Sequence, residues 1–382
     1  MGREPPPDIE TRRARTKEEA MKEESLNSTG MGLKRRSFIA GGVLAAGGLP
    51  SLFTSALGGA VSNRSASRPP ATEKGAIHKI LCGPLIPVAT HYNPDLSLDL
   101  PGLKEDLQYL MQHGIRNGSG CVLIGGSGGD FPMLSVSERT ALARAAAEVL
   151  GGQVPIVLCA QATDERVILE IAHVADDIGA CAVQLSAPFY YHPSDEDVLR
   201  LFRKVNDVLK KSGIMVYNTF WEGYNLPFEV IDQLVDLEHT VALKWATPEG
   251  AAVFERGVAQ WAERIAVVDN TGVWPLTAML GGSAFISNLA AIWPEHDLHV
   301  YALTQAGEYK KAMDLMRAVN WPWEEFRWKI ARRTSGEGQV VKCALELCGR
   351  RGGPSRPPAR ELMENERAEL RGILTHIGAP VA

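Results

Sequence analysis

The chain has 382 residues, 45% of them hydrophobic and 22% charged, with a net charge of −5. That balance excludes a disordered or fibrous protein, and a body without a long basic run excludes nucleic acid as a partner. The six cysteines form no CxxC pair and no His/Cys cluster at zinc spacing, so neither a disulfide scaffold nor a structural metal is indicated, and a core of this size needs neither.

Residues 1–33 are polar and charged, with Pro5-Pro6-Pro7 and several Glu/Lys pairs, and cannot build a core. Lys34-Arg35-Arg36-Ser37-Phe38-Ile39-Ala40 then leads into a Gly/Ala-rich, mildly apolar stretch to about Ala60. Paired arginines ahead of Phe and a weakly hydrophobic segment resemble a twin-arginine export signal. Gly41, Gly42, Gly47, Gly48 and Pro50 argue against a firmly anchored membrane helix. The segment predicts export by the twin-arginine machinery, with cytoplasmic residence as the alternative. Gly58-Gly59-Ala60 offers a small-residue cleavage site, and Met31 a possible downstream start. Residues 61–75 read as a Ser/Arg/Pro linker, so the boundaries are 1–75 for this N-terminal part and 76–382 for one folded domain.

From Leu81 onward short apolar runs alternate with amphipathic stretches, the pattern of parallel strands with crossover helices. The predicted strands are Pro84–Val88, Cys121–Ile124, Ile156–Cys159, Ala182–Leu185, Ile214–Tyr217, Val241–Lys244, Ile265–Val268 and Ala284–Ser287. Ser135-Val136-Ser137-Glu138 predicts a capping box. Thr163 before Asp164-Glu165 and Ser194 before Asp195-Glu196 predict further helix starts, with acids where the helix dipole favours them. Cys82, Cys121, Cys159 and Cys181 sit in apolar runs and read as buried thiols. Eight βα units predict a closed (β/α)₈ barrel with C-terminal helices from about residue 295. Gly125-Gly126-Ser127-Gly128-Gly129 follows a strand but lacks dinucleotide-binding spacing.

In such a barrel, catalytic groups gather at the carboxyl ends of the strands. The second strand runs into Gly126-Ser127-Gly128-Gly129-Asp130, either an anion cradle for a carboxylate or a plain tight turn. The fourth runs into Pro188-Phe189-Tyr190-Tyr191-His192-Pro193, aromatics that in isolation read as packing or a subunit contact. Tyr217-Asn218 ends the fifth, where the phenol either relays protons or is satisfied by backbone. The sixth ends in Leu243-Lys244-Trp245. A lysine there is flanked by barrel interior and helix layer, and desolvation frees its amine to attack a ketone, unless it is simply a rim lysine.

These strand ends, in this order, resemble the dihydrodipicolinate synthase / N-acetylneuraminate lyase family. Gly126–Asp130 occupies that family's Gly-Thr(or Ser)-Thr-Gly-Glu turn, followed by Leu134-Ser135 and Glu138-Arg139 at matching distance. Pro188–Pro193 is similar to its Pro-Tyr-Tyr-x-x-Pro segment, Tyr217-Asn218 to its Tyr-Asn pair and Leu243-Lys244 to its Ile-Lys strand. Gly281–Ser287 resembles its glycine turn into Gly-Val-Ile-Ser, and Val341–Leu345 with Gly349 and Arg356-Pro357 resembles its C-terminal extension. The likeness covers about residues 80–380.

The resemblance implies a Schiff-base lyase or aldolase acting on pyruvate or a 2-keto-3-deoxy acid, with an aldehyde as the second small-molecule partner. Lys244 would be the nucleophile and Tyr217 the proton shuttle. Ser127 would link that tyrosine to bulk water, and Tyr190 would complete the relay from a neighbouring subunit of a homodimer or homotetramer. Ser127 and the Gly128 amide would hold the carboxylate, and Ile286 would line the site through its carbonyl. No metal or organic cofactor is implied.

The departures bear on the second substrate. Gly128 replaces the turn's second hydroxyl residue, and Asp130 replaces Glu. Glu222 stands near where the synthase branch places an arginine for the second substrate's carboxylate. An acid there repels an anionic partner unless protonated or paired. The sequence therefore predicts a sugar-acid or aromatic aldehyde, stacking on Trp221, Tyr224 and Trp245. Two alternatives stay open: a dehydratase of deoxy-keto sugar acids, whose turn Gly129-Asp130-Phe131 also resembles, and an extracytoplasmic keto-acid binding protein without turnover. The lyase reading requires the Lys244 nitrogen to be dry and close to Tyr217.

Overall fold

A computed structural model describes residues 74–382 of the chain. The twin-arginine segment and nearly all of the linker lie outside the described residues.

Eight parallel strands close into a barrel in chain order. They are β1 (Gly83–Pro87), β2 (Cys121–Ile124), β3 (Ile156–Cys159), β4 (Ala182–Ser186), β5 (Gly213–Tyr217), β6 (Thr240–Trp245), β7 (Ala266–Asp269) and β8 (Ala284–Ile286). Each begins and ends within one residue of its predicted position. Helix α1 (Lys74–Ile80) precedes the barrel, and its Ile77, followed by Leu81, packs with the barrel's interior side chains. Crossover helices α2 (Leu100–Gln112), α3 (Val136–Leu150), α4 (Glu165–Ile178), α5 (Asp195–Val208), α6 (Phe228–Asp236), α7 (Ala251–Trp261) and α8 (Trp274–Met279) follow β1 to β7 in turn. Beyond β8 come α9 (Pro294–Gln305), α10 (Tyr309–Ala331), α11 (Gly338–Leu347) and α12 (Glu364–Ile377), the expected C-terminal extension.

Strand alternation divides the core in two. Leu85, Cys121, Val157, Cys159, Ala182, Met215 and Val268 fill the barrel, while Ile86, Val122, Leu158, Val183, Val216, Leu243 and Val267 face the helix layer. The described cysteines are all free thiols.

Helix starts follow local chemistry. Ser135 accepts from the Glu138 N–H at 3.2 Å while Glu138 accepts from the Ser135 N–H at 2.9 Å, the predicted capping box, worth about 1 kcal/mol. Ser194 and Asp197 repeat the device on α5. The cap of α4 is Asp164 rather than Thr163: its carboxylate accepts from the Arg166 N–H at 2.9 Å, and a charged acceptor suits the helix dipole better than a hydroxyl.

The C-terminal helices are tied to the barrel mouth by buried polar contacts. Arg356 donates to both carboxylate oxygens of Glu138, at 2.8 and 3.2 Å, and to the carbonyls of Met133 and Leu96. Ser287, just past β8, donates to Asp297 of α9 at 2.6 Å, and Asn320 of α10 donates to the other oxygen at 3.0 Å. Lys342 of α11 lies 3.5 Å from Asp130, and a Cβ on Gly338 would meet the Gly128 carbonyl at 2.9 Å, so α11 sits directly on the turn after β2. These contacts bring Arg327 and Glu337 over the strand ends.

Candidate active site

Lys244 and Tyr217 are register partners on β6 and β5, so their side chains leave adjacent strands at one level and point into the barrel. The Lys244 Nζ lies 3.8 Å from the centre of the Tyr217 ring and donates to Gln184 Oε1 of β4 at 3.3 Å. Lys244 is only 5% exposed, and among the described residues it forms no ion pair. Desolvation pushes its pKa down to about 7, against the opposing pull of Glu337, Cys159 and Glu222, while Arg327 adds to the lowering. The nitrogen is dry and packed on Tyr217, as the lyase reading required.

The Tyr217 phenol is held well above its ordinary pKa by burial, reinforced by Glu337 and Glu222 and opposed by a hydrogen bond with the Asn270 side chain. Its neighbour Asn218 is a latch. The Asn218 side chain donates to the Ala246 carbonyl and to Asn225, each at 2.8 Å, and accepts from the Leu226 N–H at 3.0 Å. That holds the ends of β5 and β6 level and shapes the loop carrying Glu222.

The turn after β2 folds as a short 3₁₀ segment, Ser127–Gly129. Gly129, Asp130 and Phe131 donate their N–H groups to the Gly126 and Ser127 carbonyls, leaving the Ser127 and Gly128 amides outside this set, at the start of the turn. A Cβ on Gly129 would meet the Val88 carbonyl at 2.8 Å, so this position requires glycine; one on Gly128 would find ordinary contacts at 3.4 Å. Asp130, at φ 59°, does not face the amine. It is buried against Lys342 and Tyr92, and desolvation raises its pKa while Lys342 opposes the rise.

The predicted residues fall into two groups. Lys244 and Tyr217 are in contact, while Ser127 and Gly128 follow β2 and Ile286 ends β8, on either side of β1. The Ser127 hydroxyl makes no hydrogen bond with Tyr217, whose side-chain partner is Asn270. Tyr190 is apart from all of them: it sits at φ 79°, 81% exposed, edge-on to an equally exposed Tyr191.

Of the three aromatics expected to stack on an aldehyde, only Trp221 lies at the site, 52% exposed and 5.7 Å from the Tyr217 ring. Trp245 faces the other way, because adjacent strand residues point to opposite sides. Its indole is buried between Phe228 and Trp261, donates to the Phe254 carbonyl at 3.1 Å and leaves room only for glycine at Gly257. Tyr224 donates to Asp195 on the surface at 2.6 Å.

Sequence reasoning missed four groups here. Gln161 and Gln184 are buried amides inside the barrel, and their signal was a glutamine amid apolar strand residues, Ala182-Val183-Gln184-Leu185. Glu337 and Arg327 come from the C-terminal helices, and no local pattern announces them. Glu222, singled out by its position, is half-buried. Its Oε2 has no partner, and desolvation raises its pKa. Beside this cluster a cavity of about 460 Å³ opens between the ends of β7 and β8 and α10, with Asn270, Ile286, Asn320 and Arg327 on its wall. Asp269, buried with Oδ2 unpartnered, also lines it. Among the described residues no group of three His, Cys, Asp or Glu side chains is arranged to hold a metal.

Comparison with known proteins adds independent findings. Residues 81–377 match the model of the dihydrodipicolinate synthetase family. The chain is 27% identical over 295 residues to a 4-hydroxy-tetrahydrodipicolinate synthase of Methanopyrus kandleri, covering 76% of this chain and 94% of that protein. It is 25% identical to an uncharacterized DapA-like lyase of Halobacterium salinarum, covering 78% of this chain and 94% of that one. Among solved structures, a prophage protein of the dihydrodipicolinic acid synthase family from E. coli K12, in complex with pyruvate, superposes with a TM-score of 0.66 at 24% identity, covering 78% and 99%. A Clostridium difficile structure, CdNal in complex with mannosamine, superposes at 0.68 with 16% identity, covering 77% and 98%. At these identities the structural matches speak for the barrel alone.

Proposed function

The chain belongs to the dihydrodipicolinate synthetase family, and from that premise we propose that it is a Schiff-base lyase in which Lys244 condenses with the 2-keto group of pyruvate or a 2-keto-3-deoxy acid. The observation that carries this reading is the buried Lys244 amine, at a pKa near 7 and stacked on Tyr217. A neutral amine is abundant at physiological pH only under such desolvation.

The steps follow from the residues. Lys244 attacks C2, and water leaves to give an iminium, which draws electrons from C3. Tyr217 is the proton shuttle; its high affinity for the proton suits it to return what it takes. The iminium's enamine then forms a carbon–carbon bond with an aldehyde, or the reverse cleavage occurs, and water releases Lys244. Ser127 and the Gly128 amide hold the substrate carboxylate at the start of the turn, and the Ile286 carbonyl lines the pocket; Ser127 would join Tyr217 to solvent only through the bound substrate, since the two side chains are not hydrogen-bonded to each other. Tyr190 belongs to this relay in a homodimer or homotetramer, where a second copy covers its exposed ring.

The acceptor is a hydroxylated or aromatic aldehyde. Glu222 stands where an anionic acceptor would need a cation, its own burial favours the protonated carboxyl, and Trp221 offers a ring face at the rim. Turnover of purified protein with pyruvate and a panel of aldehydes, and with 2-keto-3-deoxy sugar acids, tests this. Hydroxylated aldehydes should outpace aspartate semialdehyde, with loss of all turnover in Lys244→Ala. Faster condensation of aspartate semialdehyde would overturn the acceptor assignment. Products that retain every carbon and lose water would identify a dehydratase, and binding without turnover a keto-acid receptor. Residues 31–75 are proposed to direct export through the twin-arginine machinery; a fusion of that segment to a reporter, retained in the cytoplasm, would contradict it.

A further inference from the structure

Inside the barrel the Lys244 nitrogen meets the end of a one-way chain of hydrogen bonds. Ser186 donates its hydroxyl to the Ala187 carbonyl at 3.1 Å, so toward Gln161 it accepts, and Gln161 turns its Nε2 to it at 2.9 Å. Gln161 thereby presents Oε1 to Gln184, whose Nε2 donates at 2.8 Å. Gln184 is left with its Oε1 aimed at Lys244 Nζ, 3.3 Å away. Reversing either amide alone would set donor against donor or acceptor against acceptor between the two glutamines. The backbone of this chain is pinned in turn: Arg139 donates to the Gln161 carbonyl at 3.1 Å and to the Cys159 carbonyl at 2.5 Å.

All three side chains of the chain are buried, and a buried amide is tolerated only when its groups are bonded. Both groups of each amide have partners here. Every partner but one is structural, and the exception is the reacting nitrogen.

We propose that Gln184 is a further catalytic residue, an acceptor that holds one N–H of Lys244 so that the lone pair faces the substrate ketone, and that then holds the N–H of the iminium. This rests on Lys244 being the Schiff-base nucleophile. The electron balance leaves Gln184 unchanged. The nitrogen lone pair forms the bond to C2, and the C2 oxygen departs as water carrying two protons, one passed from the nitrogen through Tyr217 and one drawn from solvent; the one hydrogen left on the charged nitrogen stays bonded to Gln184 Oε1. Gln161 and Ser186 are positioning residues that fix which end of the amide faces the amine. Other groups act on the same nitrogen: Tyr217 from β5, Cys159 from β3, Glu222 from the loop after β5, and Glu337 and Arg327 from the C-terminal helices. None of them accepts a hydrogen bond from it, so the amide's effect is separable from theirs.

The test is the pH dependence of borohydride-trapped pyruvate adduct on full-length wild type, Gln184→Leu, Gln184→Glu and Gln161→Leu. Losing the acceptor disfavours the ammonium and weakens the iminium, so Gln184→Leu should move the midpoint to lower pH and cut the plateau rate about tenfold or more. Gln184→Glu should move the midpoint the opposite way, because a carboxylate favours the ammonium. Gln161→Leu, which never touches the amine, should shift it in the Gln184→Leu direction but less. A merely structural role would lower thermal stability and leave all midpoints together, and that outcome overturns the proposal. Should Gln184→Leu not fold, the near-isosteric Gln184→Glu decides alone: an unmoved midpoint overturns the proposal. A wild type that forms no adduct at Lys244 would instead overturn the lyase reading on which it rests.

Discussion

Lys244 at the end of β6 and Lys342 in the middle of α11 are both withdrawn from water, and burial lowers the pKa of each. Their surroundings differ in kind. Lys342 lies 3.5 Å from the Asp130 carboxylate, donates to the Pro354 carbonyl at 3.0 Å and covers the Tyr92 ring at 4.3 Å. Lys244 has one neutral acceptor and one ring face. Burial alone therefore does not make a nucleophile. A lysine whose charge is paired is a strut, here locking α11 onto the turn after β2, whereas one left without a carboxylate at contact distance is driven toward its reactive neutral form.

The comparison can be broken most sharply by removing each amine. Lys244→Ala should abolish adduct and turnover, a loss of at least about a thousandfold, with a smaller fall in stability than at Lys342, because Gln184 Oε1 loses its donor but no buried charge is left unpaired. A normal pyruvate adduct in that variant would end the distinction. Lys342→Met should do the reverse. It leaves Asp130 buried and unpaired at a cost of about 3–5 kcal/mol, read as a fall in thermal midpoint, while the protein that remains folded still traps pyruvate. Adding Asp130→Asn should restore much of the stability, since breaking a buried pair costs more than replacing it.

The pH dependence sharpens the same contrast. Lys244 must be neutral to attack and its pKa is near 7, so adduct formation should rise with pH and be about tenfold slower at pH 6 than at its plateau. A midpoint near the ordinary lysine value would mean the amine is solvated. Glu337 favours the Lys244 ammonium, so Glu337→Gln should move that midpoint modestly to lower pH. The smallest effect is expected at Gly128. Its position admits a Cβ, so Gly128→Ser should fold with stability changed by less than about 1 kcal/mol, and a large loss would mean the turn is tighter than described.

The parts of this contrast that were legible in the sequence are those set by short-range pattern. Apolar runs gave all eight strands to within a residue, since parallel strands buried on both faces cannot hide their composition. Lys244 stood out because an ammonium at the end of Val241-Ala242-Leu243 has no solvated face to occupy. Trp245 was misread by a single residue of alternation, which turned it outward onto Gly257. Gln161 follows β3 and Gln184 lies on β4, and only the pairing of those strands brings their amides together at 2.8 Å. Arg327, Glu337 and Lys342 reach the site from helices distant in the chain, and their placement depends on buried contacts such as Ser287 with Asp297 that local pattern does not encode. Tyr190 is a different case: its role needs a second chain, and within one chain it is simply an exposed ring.

The account stands most directly on where pyruvate attaches. Wild-type protein should be reduced with borohydride in the presence of pyruvate, digested, and its peptides mapped by mass. One reduced pyruvate on the peptide carrying Lys244, with Lys342 unmodified, is the predicted result. An adduct on Lys342 or another lysine, or none under conditions that trap a known aldolase, would contradict it.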